Sequence, residues 1–160
     1  QPNRSEARKG LGYINFQLGH LHDAEQMFKQ CLALNPTPNP VTELITGNNA
    51  IAPFKLQTTP LTKLGRIHLI HGDNQKAIDQ FMKELKLQPD QSDAYDGLGW
   101  AYLGEKRELE ARSAFKMAIR LEPLNNSAHK GLRKAKEGIL EKRLSEKTDL
   151  SAKFPLTSRN

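Results

Sequence analysis

The chain has 160 residues, enough for one elongated helical array and too few for two comfortable globular domains. It contains no apolar run near the roughly 20 residues a membrane-spanning helix needs. Its single cysteine, Cys31, excludes an internal disulfide, and its net charge of +6 is concentrated at one end, with nine cations against four acids from Asn126 onward.

In chain order, residues 1–4 read as a loose end. Gln1 has no basic and apolar leader behind it, so the chain is expected to be either processed or a piece of a longer one. Ser5 is placed to cap a first helix reaching about Leu18, and Gly19-His20 makes a turn into a second helix that stops at Asn35-Pro36. Residues 39–57 then separate this pair from the next. The stretch opens on stiff Pro36-Thr37-Pro38-Asn39-Pro40 and carries Val41, Leu44, Ile45, Ile51 and Phe54 around Gly47-Asn48-Asn49. A small hairpin and a short helix with a loop both fit. A flap that covers helix faces is expected, and a gate over a ligand site is the sharper alternative.

Thr59-Pro60 restarts the helical pattern, since Thr caps and Pro suits the first turn. Helices are expected over about 59–71 and 74–87, then 92–104 and 107–121, where Pro123 stops the last of them. A seventh runs from Asn126 to about Lys147, with Ala128, Leu132, Ala135, Ile139, Leu140 and Leu144 on one stripe. Residues 148–160 read as a flexible tail.

The helices come in repeats. Leu64, Gly65, Ala77, Phe81 and Pro89 each lie 34 residues before Leu98, Gly99, Ala111, Phe115 and Pro123, and Leu11, Gly12, Ala24, Phe28 and Pro36 lie 53 residues before the first five. This set resembles the tetratricopeptide repeat, whose period is about 34 residues with Leu-Gly, Tyr, Ala, Phe and Pro landmarks. The resemblance covers units 5–38, 58–91 and 92–125. It departs from the pattern where Asn15 and His68 stand for Tyr102, and where Cys31 and Glu84 stand for Ala118. The fold implied is all-α, a right-handed solenoid of three hairpins closed by a capping helix over 126–147.

The resemblance also implies a site. In such arrays the first helix of each hairpin lines a concave groove that holds an extended peptide or a partner's helix. Positions two before the landmark Leu, and two and five after it, are expected to face inward. They give Lys9, Tyr13 and Phe16, then Thr62, Arg66 and Leu69 with Lys63 beside them, then Asp96, Trp100 and Leu103. Lys130 and Lys134 of the terminal helix continue the row. Some members of that family grip a C-terminal carboxylate with Lys and Asn residues on three hairpins. Here only Lys9 matches, with Tyr13, Lys63 and the pair Asp93 and Gly97 at the other places, which argues against tail binding of that kind. Lys9, Lys63 and Arg66 still favour an acidic or phosphorylated segment.

Chemistry of other kinds finds little support. His20, His22 and Asp23 lie at one turn and His68, His71 and Asp73 near the next, a conceivable metal cluster, but solvated turn residues are the plainer expectation. Cys31 occupies a small-residue landmark and reads as packing. No phosphate loop, nucleophile elbow or HExxH pattern occurs in the sequence, so no cofactor, metal or catalytic residue is assigned. Lys130, Arg133, Lys134 and Lys136 invite RNA or another polyanion, yet Glu137, Glu141 and Glu146 interrupt them without interleaved aromatics. The expectation is a protein-binding scaffold. Polyanion binding through the last helix and the non-catalytic arm of a larger enzyme are the alternatives, and self-association through the first helix is also open. The compartment is not legible.

Overall fold

The structure is a computed structural model, and it describes residues 2–34 and 59–153. Seven helices occupy them: α1 (Pro2–Gln17), α2 (Leu21–Leu34), α3 (Pro60–His71), α4 (Asn74–Leu87), α5 (Ser92–Gly104), α6 (Glu108–Leu121) and α7 (Asn126–Lys153). The 39–57 stretch with its apolar residues lies outside the described residues. Among the described residues there is no strand, and no helix is long and apolar enough to cross a membrane. The fold is the all-α array of antiparallel hairpins, α1–α2, α3–α4 and α5–α6, with α7 packed on the last.

One contact builds each hairpin. A phenylalanine from its second helix packs against a glycine of its first, so that a Cβ on Gly12, Gly65 or Gly99 would fall 2.6, 2.7 and 2.6 Å from the rings of Phe28, Phe81 and Phe115. Only a residue without a side chain admits the ring so near the backbone. Phe28, Phe81 and Phe115 are fully buried as a result. The same rings join one hairpin to the next. A Cβ on Gly97 would meet Phe81 at 2.3 Å, and one on Gly131 would meet Phe115 at 2.2 Å. Gly131 lies 34 residues after Gly97, so α7 takes the place of the first helix of a fourth hairpin. Ala128 and Ala135, buried against Phe115, complete that face.

The turns inside the hairpins also repeat. Gly19, Gly72 and Lys106 stand at equivalent positions with φ of 79°, 81° and 56°. The amide after each donates back to the carbonyl of Asn15, His68 or Tyr102 at 2.9 Å in all three cases. The first two turns use glycine for this left-handed backbone, whereas the third forces a lysine into it. At the start of α3 the Thr59 hydroxyl accepts the amide of Thr62 at 3.3 Å with Pro60 in the first turn, as its sequence implies. At the start of α7 the Asn125 side chain accepts the Ala128 amide at 3.0 Å.

Four expectations change. Helix α1 begins at Pro2, so Ser5 does not cap it; Ser5 is buried inside the hairpin, its hydroxyl 3.5 Å from the Cys31 carbonyl oxygen it bonds. Leu11, a landmark, is 51% exposed where Leu64 and Leu98 are 3% and 5% exposed. Leu64 packs with Ala24 and Phe28 of the first hairpin, and Leu98 with Ala77, Ile78 and Phe81 of the second. Helix α7 continues past Lys147 to Lys153, through the first part of the stretch expected to be a tail, because 148–153 contains neither Gly nor Pro to stop it. His68, grouped with exposed turn residues, is buried.

Candidate concave binding face

The first helices α1, α3 and α5 follow one another along the array, with α7 next after α5, and the side chains expected to share one face fall into three groups. At the α1 end, the Lys63 ammonium stands 4.8 Å from the centre of the Phe16 ring and 5.7 Å from that of Tyr13. Tyr13 meets Phe28 edge-on, centroids 5.3 Å apart. Burial, and then the neighbouring Arg66, hold the Lys63 pKa below the usual lysine value. Lys9 pairs with Glu6 at 3.7 Å.

In the middle, Arg66 reaches from α3 to α5. Its guanidinium is 3.2 Å from Asp93 Oδ1 and 3.9 Å from Asp96 Oδ2. The chain's own carboxylates therefore engage it, with about a third of its side chain still exposed. Asp96 is 3% exposed, and burial raises its pKa against the pull of Ser127 and Arg66. Thr62 is 1% exposed. Neither Thr62 nor Asp96 offers its side chain to solvent, although both stand at inward-facing positions, because close packing of neighbouring hairpins covers them. Leu69 is half-buried and packs on the core between the second and third hairpins.

At the α7 end, the Trp100 indole N–H donates to Ser127 Oγ at 3.0 Å, and the Ser127 hydroxyl donates to Asp96 Oδ2 at 2.9 Å. The ring meets Phe115 edge-on, centroids 5.5 Å apart. Trp100 thus does two things: one edge closes the core, and the rest lines an open cleft of about 470 Å³ with Leu103, Lys134, Gly104, Glu108, Glu137, Gly138 and Glu141. Three of the sequence-derived residues, Trp100, Leu103 and Lys134, come together there. Lys130 is exposed on α7 beside them.

Sequence reasoning missed Ser127, Asp93 and the three glutamates. Ser127 was within reach, since it lies 34 residues after Asp93 and so on the same helix face. Glu137 and Glu141 required knowing that α7, 28 residues long against 14 for α6, runs on past the hairpin it covers. Among the described residues no group of three or more His, Cys, Asp and Glu is placed to hold a metal ion; His68 Nδ1 and Asp73 Oδ2 are 3.9 Å apart with no third donor.

Residues 10–38 match the family model of the tetratricopeptide repeat. The first tetratricopeptide domain of human RPAP3 superposes with a TM-score of 0.71 at 20% identity, over 91% of this chain and 99% of that one. The first such domain of Spaghetti (RPAP3), solved bound to the HSP90 peptide SRMEEVD, gives 0.71 at 18%, over 88% and 96%. MamA gives 0.68 at 23%, over 99% and 81%. No curated protein matches. The first hairpin is thus a tetratricopeptide repeat by sequence, and the chain as a whole has the tetratricopeptide-repeat fold.

Proposed function

We propose that this chain is an interaction module that holds an extended segment or a helix of a partner protein along the concave face, without chemistry of its own. The observation that carries the reading is the row Tyr13, Phe16, Lys63 and Trp100, which leaves aromatic and cationic surface half-exposed on successive first helices. Aromatic side chains on a preordered surface are the usual anchors of binding, and a rigid scaffold loses little freedom when a segment docks. The Spaghetti domain, of like fold, is solved with an acidic peptide on it, which agrees with Lys9 and Lys63 favouring acidic side chains at the α1 end. The clamp residues differ at all matching places but Lys9, so the segment differs as well.

The test is affinity capture from a source-cell lysate treated with nuclease. The Lys9→Glu, Lys63→Glu double variant is preferable to any change at Arg66, whose ion pairs with α5 are structural. A protein retained by the wild type and lost by the variant, with helicity unchanged by circular dichroism, supports the reading. Equal recovery overturns it.

A further inference from the structure

The concave face changes sign along its length. Lys9 and Lys63 stand at the α1 end, whereas the cleft between α5, the start of α6 and α7 presents Glu108, Glu137 and Glu141 around Trp100 and Leu103, with Lys134 as its one cation. Among the described residues none of these three carboxylates is held in an ion pair, although the chain has cations to spare. Lys29, Lys76 and Arg107 pair with acids elsewhere.

The wall of the cleft is as specific as its rim. Trp100 is fixed by the relay from its N–H through Ser127 to the Asp96 carboxylate, and by its edge contact with Phe115. An indole whose N–H is bonded towards an anion carries more electron density on its ring, which strengthens attraction for a cation laid on its face. Glu108 is pressed onto the backbone of α7, where a Cβ on Gly138 would approach its Cγ to 3.0 Å. Glycine at 138 therefore lets a carboxylate of α6 and two of α7 surround one opening.

Resting on the reading of this face as the partner's berth, we infer that the cleft takes an arginine side chain presented by the partner segment. Guanidinium fits better than ammonium. Its plane stacks on an indole while its fork bonds two carboxylates, and its weaker hydration lowers the cost of leaving water. The charge pattern also orients the segment, acidic residues towards α1 and arginine towards α7. A nucleic acid or other polyanion is repelled by the same rim.

Trp100 is the only tryptophan, so its fluorescence reports on the cleft alone. The probes are pools of short N-acetylated, C-amidated peptides with flanks randomised over uncharged residues other than Trp and Tyr around a fixed central arginine, and matched pools with citrulline, which has the shape without the charge. The arginine pool shifts Trp100 emission with an affinity that falls with added salt, and the citrulline pool binds roughly tenfold more weakly. The Glu137→Gln, Glu141→Gln double variant, at two exposed positions, binds the arginine pool roughly fivefold more weakly at unchanged melting temperature. Equal response to arginine and citrulline, an unaffected double variant, or no shift with arginine overturns the assignment. In the capture experiment, partner lost by Lys9→Glu, Lys63→Glu but held at full strength by Glu137→Gln, Glu141→Gln removes the arginine cleft and leaves the groove. Full retention by both removes both.

Discussion

The first hairpin and the third are built from the same parts, yet they are attached to their neighbours differently. Phe81 and Phe115 each lie between two glycines, one from their own hairpin and one from the next helix, Gly97 or Gly131. Phe28 has Gly12 beneath it, but the position that Gly97 and Gly131 occupy belongs in α3 to Lys63. A lysine cannot admit a ring against its backbone; its ammonium lies over Tyr13 and Phe16 instead, and the joint relies on Leu64 and Ile67 packing with Ala24 and Phe28. In a linear array stability is close to a sum of unit and nearest-neighbour terms. The difference therefore predicts one stiff block, α3 to α7, with a hairpin joined to it by a weaker seam.

The strongest test of that comparison removes the rings. Phe28→Ala and Phe115→Ala should each cost about 3–5 kcal/mol. In hydrogen exchange the first should expose mainly α1 and α2, whereas the second should speed exchange throughout α5, α6 and α7. Equal loss of protection along the whole chain in the Phe28→Ala variant breaks the comparison.

Next in size, a side chain placed between ring and backbone probes the seams directly. Gly97→Val should destabilise by roughly 2–3 kcal/mol in urea unfolding, since its Cβ would fall 2.3 Å from the Phe81 ring. Lys63→Val, at the equivalent place, should stay within about 1 kcal/mol. Similar costs at both positions would mean that the two joints are alike after all.

The second hairpin has an oddity of its own. Glu84 stands where the first has Cys31 and the third Ala118; it is fully buried, bonded by the Thr59 hydroxyl, with its Oε1 buried and unpartnered. Burial raises its pKa above the ordinary 4.5, despite the opposing bond from Thr59. The folded chain thus keeps a proton that the unfolded chain gives up. That contribution to stability is complete below pH 4.5 and is lost as pH rises through the raised folded value. His68 in the same hairpin acts from the other side. Burial lowers its pKa, so stability falls as pH drops below its ordinary 6.5. Glu84→Gln should flatten the decline of melting temperature above pH 4.5 and leave the His68 limb intact; an unchanged profile means that Glu84 is not the group responsible.

The smallest effect is at the third turn. Lys106→Gly relieves a left-handed lysine that the first two hairpins avoid, and should raise stability by about 0.5–1 kcal/mol in thermal unfolding. A loss instead would show that the lysine side chain holds the turn by contacts worth more than the strain.

Much of this was readable from the chain. The landmark spacing named the hairpins, their phenylalanines and small residues, and most helix ends within a residue or two, because Gly, Pro and Thr act on the backbone locally. The exposure of Leu11 was not legible, since burial of that landmark in the other hairpins depends on contacts with a neighbouring hairpin and not on spacing. Ser5 was misread because a hydroxyl near a helix start can cap it or turn inward, and only the position of α2 decides. At the candidate site, the resemblance put Tyr13, Lys63, Trp100, Leu103 and Lys134 at inward-facing positions, and the structure brings Trp100, Leu103 and Lys134 together around one cleft and Lys63 onto the rings of Tyr13 and Phe16. Arg66 was placed on the same face, but counting along one helix does not show Asp93 and Asp96 pairing with it from the next.

By itself, the sequence determined the repeat unit, its period and which side chains share a helix face, since these follow from 3.6 residues per turn and the steric demands of glycine and proline. Only the tertiary structure decided how one hairpin meets the next: which polar groups are buried, which charges neutralise each other, and that three glutamates from two helices surround the lone tryptophan. Those outcomes depend on distances of a few ångströms between segments far apart in the chain, and no local preference encodes them.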